Sequence, residues 1–314
     1  MTVAAVLVGY AVCVGTLGSR LLGQARWTAR APLLAIVTYL AAGWSVIAAL
    51  GLAGLTLAVH GTALGGGLSH LIGACVLRLR ETYGTPGGAT VAGLGLTLAG
   101  AVAARTALTA VTHLRAAGQR ALLHAETARL AGRPEHSLGA VLVEHSSPVA
   151  YCVAGRHPTV ILSTGALHAL EPAQLQAVLA HERAHLAYRH HLLLALARIG
   201  HLVLPFLPLM AGADAQVARL IEMHADDAAA RAADPRSVAT ALVILATGAS
   251  PAPALAASAT DSVQRIRRLL RPAEPLGQAR RHLLRATAAS LALTPVLLAL
   301  APALLALALG RVGG

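Results

Sequence analysis

Val178-Leu179-Ala180-His181-Glu182-Arg183-Ala184-His185-Leu186-Ala187-Tyr188-Arg189-His190-His191 is the stretch on which the reading of this chain turns. His181 and His185 stand four residues apart, so on a helix they share a face and can aim both imidazoles at one metal ion. Glu182 sits beside the first of them, where its carboxylate can take a proton from metal-held water. Leu175, Val178, Leu179 and Leu186 give this helix an apolar stripe. Glu171-Pro172 marks its start, with proline at a tolerated first-turn position.

Catalytic zinc takes three protein ligands and keeps a fourth position open. His191 lies at the third-ligand spacing of HExxHxxGxxH proteins, but that arrangement needs a sharp turn at a glycine. This chain has Tyr188 there, in a pattern that reads as continuing helix. The second source is Ile221-Glu222-Met223-His224-Ala225-Asp226-Asp227. Glu222 and Asp226 again share a helix face, and three of the chain's 13 acidic residues fall in this short segment. A carboxylate from a second helix completes a His₂Glu set, and Asp226 is placed to accept the free N–H of a ligand histidine. His224, Tyr188 and His201 are candidate transition-state or substrate contacts.

Upstream, residues 139–145, 149–154 and 159–163 read as short strands, with Gly155 to Pro158 as a turn, and Thr164-Gly165 opens a helix. Residues 106–132 read as helix, broken by Gly132-Arg133-Pro134. Downstream, residues 192–210 are apolar over 19 positions but contain Arg198, His201, Pro205 and Pro208. A single crossing there would separate Glu222 from His181, so the segment is expected to be a buried or membrane-surface helix of the same domain.

The chain is 56% hydrophobic and only 12% charged, about half the charged fraction of an ordinary soluble domain. That excludes a simple soluble enzyme and points to an integral membrane protein. Residues 2–19, 32–59, 89–112 and 286–310 are long enough to span a bilayer. The first lacks the basic flank of a signal peptide and reads as an uncleaved anchor. The net charge of +12 is carried by arginine alone. These arginines cluster beside the apolar runs with no basic-aromatic platform, so direct nucleic-acid binding is not expected. Arg105, near the end of the third run, is expected to snorkel to the interface. Cys13, Cys75 and Cys152 form neither a disulfide framework nor a thiolate zinc site.

Basic loops stay cytoplasmic. That rule puts residues 20–31 and 113–285 in the cytoplasm, and both termini and the Gly-rich 60–88 connection outside. The expected architecture is a mainly α, multi-pass membrane protein. Residues 1–112 hold three transmembrane helices, 113–285 an inserted α+β cytoplasmic zinc-peptidase domain, and 286–314 the fourth helix and a short tail.

Residues 178–191 resemble the active-site helix of membrane-anchored gluzincin peptidases, and Glu-x-x-Ala-Asp at 222–226 resembles their third-ligand motif. Closest is the BlaR/MecR-type antirepressor family, with the HtpX/Ste-type membrane peptidases as cousins. Ser163-Thr164-Gly165-Ala166-Leu167 and Val263-Gln264-Arg265-Ile266-Arg267 also match. The resemblance implies zinc held by His181, His185 and Glu222, Glu182 as general base and Asp226 as the partner that orients a ligand histidine. It also implies a strand near 148–154 that can pair with extended substrate. The implied substrate is a cytoplasmic winged-helix repressor of the BlaI type. The family's extracellular penicillin-binding sensor has no counterpart in the four residues after the last run, so a signal would enter through the 60–88 loop or the spans. Two other functions fit the same residues: HtpX-like membrane protein quality control, and a non-catalytic zinc-containing sensor. The intact Glu182 argues against the sensor, because a structural site needs no base.

Overall fold

The computed structural model describes residues 2–58, 88–155, 157–248, 255–271 and 274–310. The 60–88 connection, apart from its last residue, lies outside the described residues, as do Cys75, Arg156 and the last four residues.

Among the described residues, four helices are long and apolar enough to cross a bilayer: α1 (Thr2–Gly23), α2 (Pro32–Ala58), α3 (Gly88–Ala131) and the final helix, apolar over Gln278–Pro302. α2 is the hub and packs against the other three. Lipid chains are as apolar as leucine, so span association relies on close packing and polar ties. Both are present. A Cβ added at Gly54 would lie 2.6 Å from the Gly95 carbonyl oxygen, so glycine at both positions is what lets α2 and α3 meet. The Tyr10 hydroxyl lies within hydrogen-bond reach of Ser45 Oγ (2.9 Å) and the Leu291 carbonyl (3.0 Å), linking three helices.

The helix that carries the third apolar run does not end near residue 112. α3 continues unbroken for 44 residues, about 66 Å at helical rise, twice a hydrocarbon core. The two helices expected at 89–112 and 106–132 are therefore one, because no proline interrupts them. The expected boundary at 112/113 falls inside this helix.

Gly132-Arg133-Pro134 ends α3 but is not a loop. It opens β1 (Gly132–Glu135), which pairs antiparallel with β2 (Ala140–Val143). β3 (Ala150–Val153) and β4 (Thr159–Ser163) complete a four-stranded sheet of order β1-β2-β4-β3. β1 was missed because proline argues against a strand, yet it is tolerated on an edge. β3 is the other edge. Leu142 and Leu162 of the sheet pack with Leu170 and Val178.

α4 (Thr164–Ala169) is capped by Ser163, whose Oγ accepts from the Ala166 N–H at 3.0 Å. α5 (Pro172–Ala187) carries the paired histidines and stops at Tyr188. Arg189 takes a left-handed conformation (φ 50°), and α6 (His190–Val203) sets off in a new direction. The helix therefore does not continue through Tyr188. α7 (Pro208–Ala211), α8 (Ala213–Ala232), α9 (Pro235–Gly248), α10 (Leu255–Leu270) and α11 (Gln278–Gly310) follow.

Residues 192–210 form most of a hairpin rather than a crossing. α6 descends beside the spans, the chain turns at Pro205, and α8 returns. Leu207 packs over Gly15 and Leu209 over Gly18 of α1, while Met210 packs over Gly43 of α2. Ile199, Val203 and Met210 share a cluster with Leu7, Val46 and Ile47. Phe206 at the tip is 74% exposed, a surface that hydrocarbon would cover. Arg105 caps this hairpin: its Nε donates to the Val203 carbonyl and Nη2 to the Leu202 carbonyl, both at 2.8 Å. Helix-end carbonyls in an apolar layer require such a donor. Arg105 is therefore a cap, which snorkelling did not foresee.

Candidate metal centre

α5 and α8 pack side by side and bring the two motifs together. His181 Nε2 lies 3.1 Å from His185 Nε2. Glu222 Oε2 is 3.6 Å from the first, and Glu222 Oε1 is 3.6 Å from the second. A tetrahedral zinc with bonds of about 2.0–2.1 Å places its ligand atoms about 3.3 Å apart. The three residues thus form a triangle of zinc-ligand size, and among the described residues they are the group with donors converging for a metal. The residues fit the ion.

The electrostatics agree. Burial would raise the Glu222 and Asp226 carboxyls, but His181 and the Arg265 guanidinium beside them hold each at about 2. Burial would lower His181, but those carboxylates lift it to about 9. The site therefore favours positive charge between the imidazoles, which a divalent cation would supply. His185 is held neutral at about 4, chiefly by burial, so its ring keeps a lone pair.

Each ligand is held from behind. His181 Nδ1 lies 3.1 Å from Asp226 Oδ1, leaving Nε2 for the centre. Asp226 is fully buried and takes two 2.8 Å hydrogen bonds from Arg265, which also reaches Glu222 Oε2 at 3.0 Å. Behind His185 runs a histidine chain: His185 Nδ1 to His190 Nδ1 at 3.1 Å, then His190 Nε2 to His224 Nδ1 at 2.9 Å. If His185 Nε2 faces the metal, its Nδ1–H donates to His190, whose Nε2–H donates to His224. Burial is the leading cause that keeps His190 (about 3) and His224 below the usual histidine range.

Glu182 faces the same space. Its carboxyl is raised, first by burial, with Cys152 of β3 beside it. Burial and this neighbour push the Cys152 thiol up to about 12. β3 pairs with β4 on its other side, so among the described residues the edge that meets Glu182 is free. A cavity of about 180 Å³ touches His181, Glu182 and Glu222 on one side, and one of about 450 Å³ touches His185, Cys152 and Glu222 on the other. A groove of about 920 Å³ continues along β3, walled by Leu114, Ala117 and Leu123 of α3.

The structure therefore gathers His181, Glu182, His185, Glu222 and Asp226. Tyr188 packs edge-on to His224 and stacks on His190, so both lie behind His185 and not over the centre. His201 sits at the far end of α6, against the Met210 and Ala211 carbonyls; it is not brought to the site. His191 lines the 450 Å³ cavity but does not join the ligand triangle. Tyr188 ends α5, so the turn at Arg189, and not a continuing helix, precedes His191. Arg265, His190 and Cys152 were missed as site residues. Arg265 lay in a stretch singled out by resemblance, but nothing in the order of residues paired it with Asp226. His190 faces His185 because Arg189 turns left-handed with no glycine to announce it.

Residues 115–208 match the family model for peptidase family M48. The match covers the far half of α3, the sheet and the paired histidines, and ends before Glu222. It points to a metallopeptidase. No curated protein and no solved structure matches the chain.

Proposed function

We propose that this chain is a membrane-bound zinc endopeptidase that cleaves a cytoplasmic protein. The observation that carries the proposal is the zinc-sized triangle of His181, His185 and Glu222, with Glu182 and a free strand edge beside it. Bound zinc would polarise a water molecule and the scissile carbonyl. The chain's own residues do the rest. The free edge of β3 receives an extended substrate by strand addition, and the groove along α3 takes its apolar side chains. Cys152 of β3 flanks Glu182, which accepts the water proton and passes it to the departing amine. Asp226 and Arg265 hold His181 and Glu222 in place. The match to peptidase family M48 supports this reading.

The resemblance of 178–191 and 222–226 to BlaR/MecR-type peptidases makes a BlaI-like winged-helix repressor the first candidate substrate. The size and apolar walls of the groove along α3 favour a second reading, HtpX-like quality control of apolar segments. One comparison separates them. Cells producing wild type or Glu182→Gln are compared for new protein N-termini. A single repressor cleaved only in wild type supports the first, many unrelated unfolded proteins the second, and identical sets would refute both.

A further inference from the structure

On the side of α8 away from β3 lies a cavity of about 420 Å³ that the peptidase chemistry does not use. Arg30, Arg281 and Arg285 line it, with Leu33 and Val37 of α2 continuing below. All three arginines are exposed. Arg281 and Arg285 are four apart and share a face of α11. The cavity's carboxylate, Asp227, is already balanced: Arg268 Nη2 contacts both its oxygens at 2.6 Å. The cavity is thus strongly positive at its mouth. Its lower wall is different. Leu33 and Val37 are 39% and 46% exposed on a helix long and apolar enough to cross a membrane. A soluble anion would use the first feature and leave the second wet.

The wall is also firmly built. Arg268 donates from Nε to the Ala29 carbonyl at 2.8 Å and from Nη1 to the Met223 carbonyl at 3.2 Å, joining the α1–α2 loop to α8. α2 and α11 both start at this cavity, so their positive helix ends add to the arginines. Basic pockets between membrane helices select anionic lipid headgroups.

We propose that this cavity is a binding site for an anionic glycerophospholipid, its phosphate between Arg30, Arg281 and Arg285 and an acyl chain along Leu33 and Val37. His224 lines the same cavity. The lipid would therefore bridge the span layer and the helix that carries Glu222.

The test is native mass spectrometry of the purified full chain in neutral detergent, titrated with phosphatidylglycerol or phosphatidylcholine. Phosphatidylglycerol should bind on the order of tenfold more tightly. Arg281→Gln with Arg285→Gln should bring the two lipids to near equality, whereas Lys at both positions should keep most of the preference. Val37→Trp, which leaves every charge in place, should also weaken phosphatidylglycerol, and millimolar inorganic phosphate should not displace it. Equal binding of the two lipids by wild type would overturn the proposal. So would a preference untouched by the Gln pair, or full displacement by phosphate, which would make the cavity a simple anion pocket. If the Gln pair does not fold, the wild-type lipid comparison, Val37→Trp and the phosphate competition still decide.

Discussion

At His181 three constraints meet in one ring: a lone pair for the metal, an N–H for Asp226, and a buried setting that tolerates neither unpaired. Asp226 bears most of this. Its ordinary carboxyl value is near 3.9, and Arg265 with His181 holds it at about 2 against the effect of burial. A carboxyl depressed on folding stabilises the protein above its unfolded value, and that contribution is lost as pH falls toward the folded one. In metal-stripped protein, Asp226 should contribute on the order of 2 kcal/mol near neutral pH. The gap in melting temperature between wild type and Asp226→Asn should therefore shrink as pH falls from about 5 to about 3. A gap constant with pH would show that the Arg265 pairing is not what holds Asp226. Glu222→Ala should remove one of three ligands and abolish stoichiometric zinc in metal analysis, while Asp226→Asn should weaken zinc about 10–100-fold.

Two joints decide how the elements present these residues. One is the break between α5 and α6. Because Arg189 is a non-glycine residue in left-handed conformation, Arg189→Gly should stabilise the fold by roughly 1 kcal/mol in thermal unfolding. Destabilisation would contradict the assigned turn. The other is Arg105 on the end of α6. Arg105→Met would leave the Leu202 and Val203 carbonyls without their donor, at a cost of about 1–3 kcal/mol each. It should loosen the hairpin tip, read as faster hydrogen exchange over residues 199–212.

These joints also mark where the sequence was legible. Period and spacing singled out α5, α8 and His181, Glu182, His185, Glu222 and Asp226, the five residues gathered around the centre, because helix geometry puts i and i+4 together. Arg265 and Cys152 come from α10 and β3, and only tertiary packing brings them to Glu222 and Glu182. Arg189 carries no composition signal for its turn. Pro134 carried a misleading one.

For the whole molecule, the decisive relation is between the centre and the spans. Arg268 bonds the Ala29 carbonyl of the α1–α2 loop, so that loop and the metal helices lie on one side of the span layer. The arginine distribution supports the proposal that this side faces the cytoplasm. Single cysteines introduced in place of Thr28 and Ala173, in a chain with its native cysteines replaced, should both stay unlabelled by an impermeant maleimide in intact cells and react after permeabilisation. Labelling of either in intact cells would reverse the orientation.

The central claim, a zinc peptidase whose base is Glu182, is tested most directly by peptide cleavage and zinc content measured on the same purified full-length samples. Wild type should hold one zinc and cleave an unfolded protein substrate, and chelation should stop cleavage until zinc is restored. Glu182→Gln should hold the same zinc and cleave at least about 10²-fold more slowly. Full cleavage by zinc-loaded Glu182→Gln, or by wild type stripped of metal, would contradict the account.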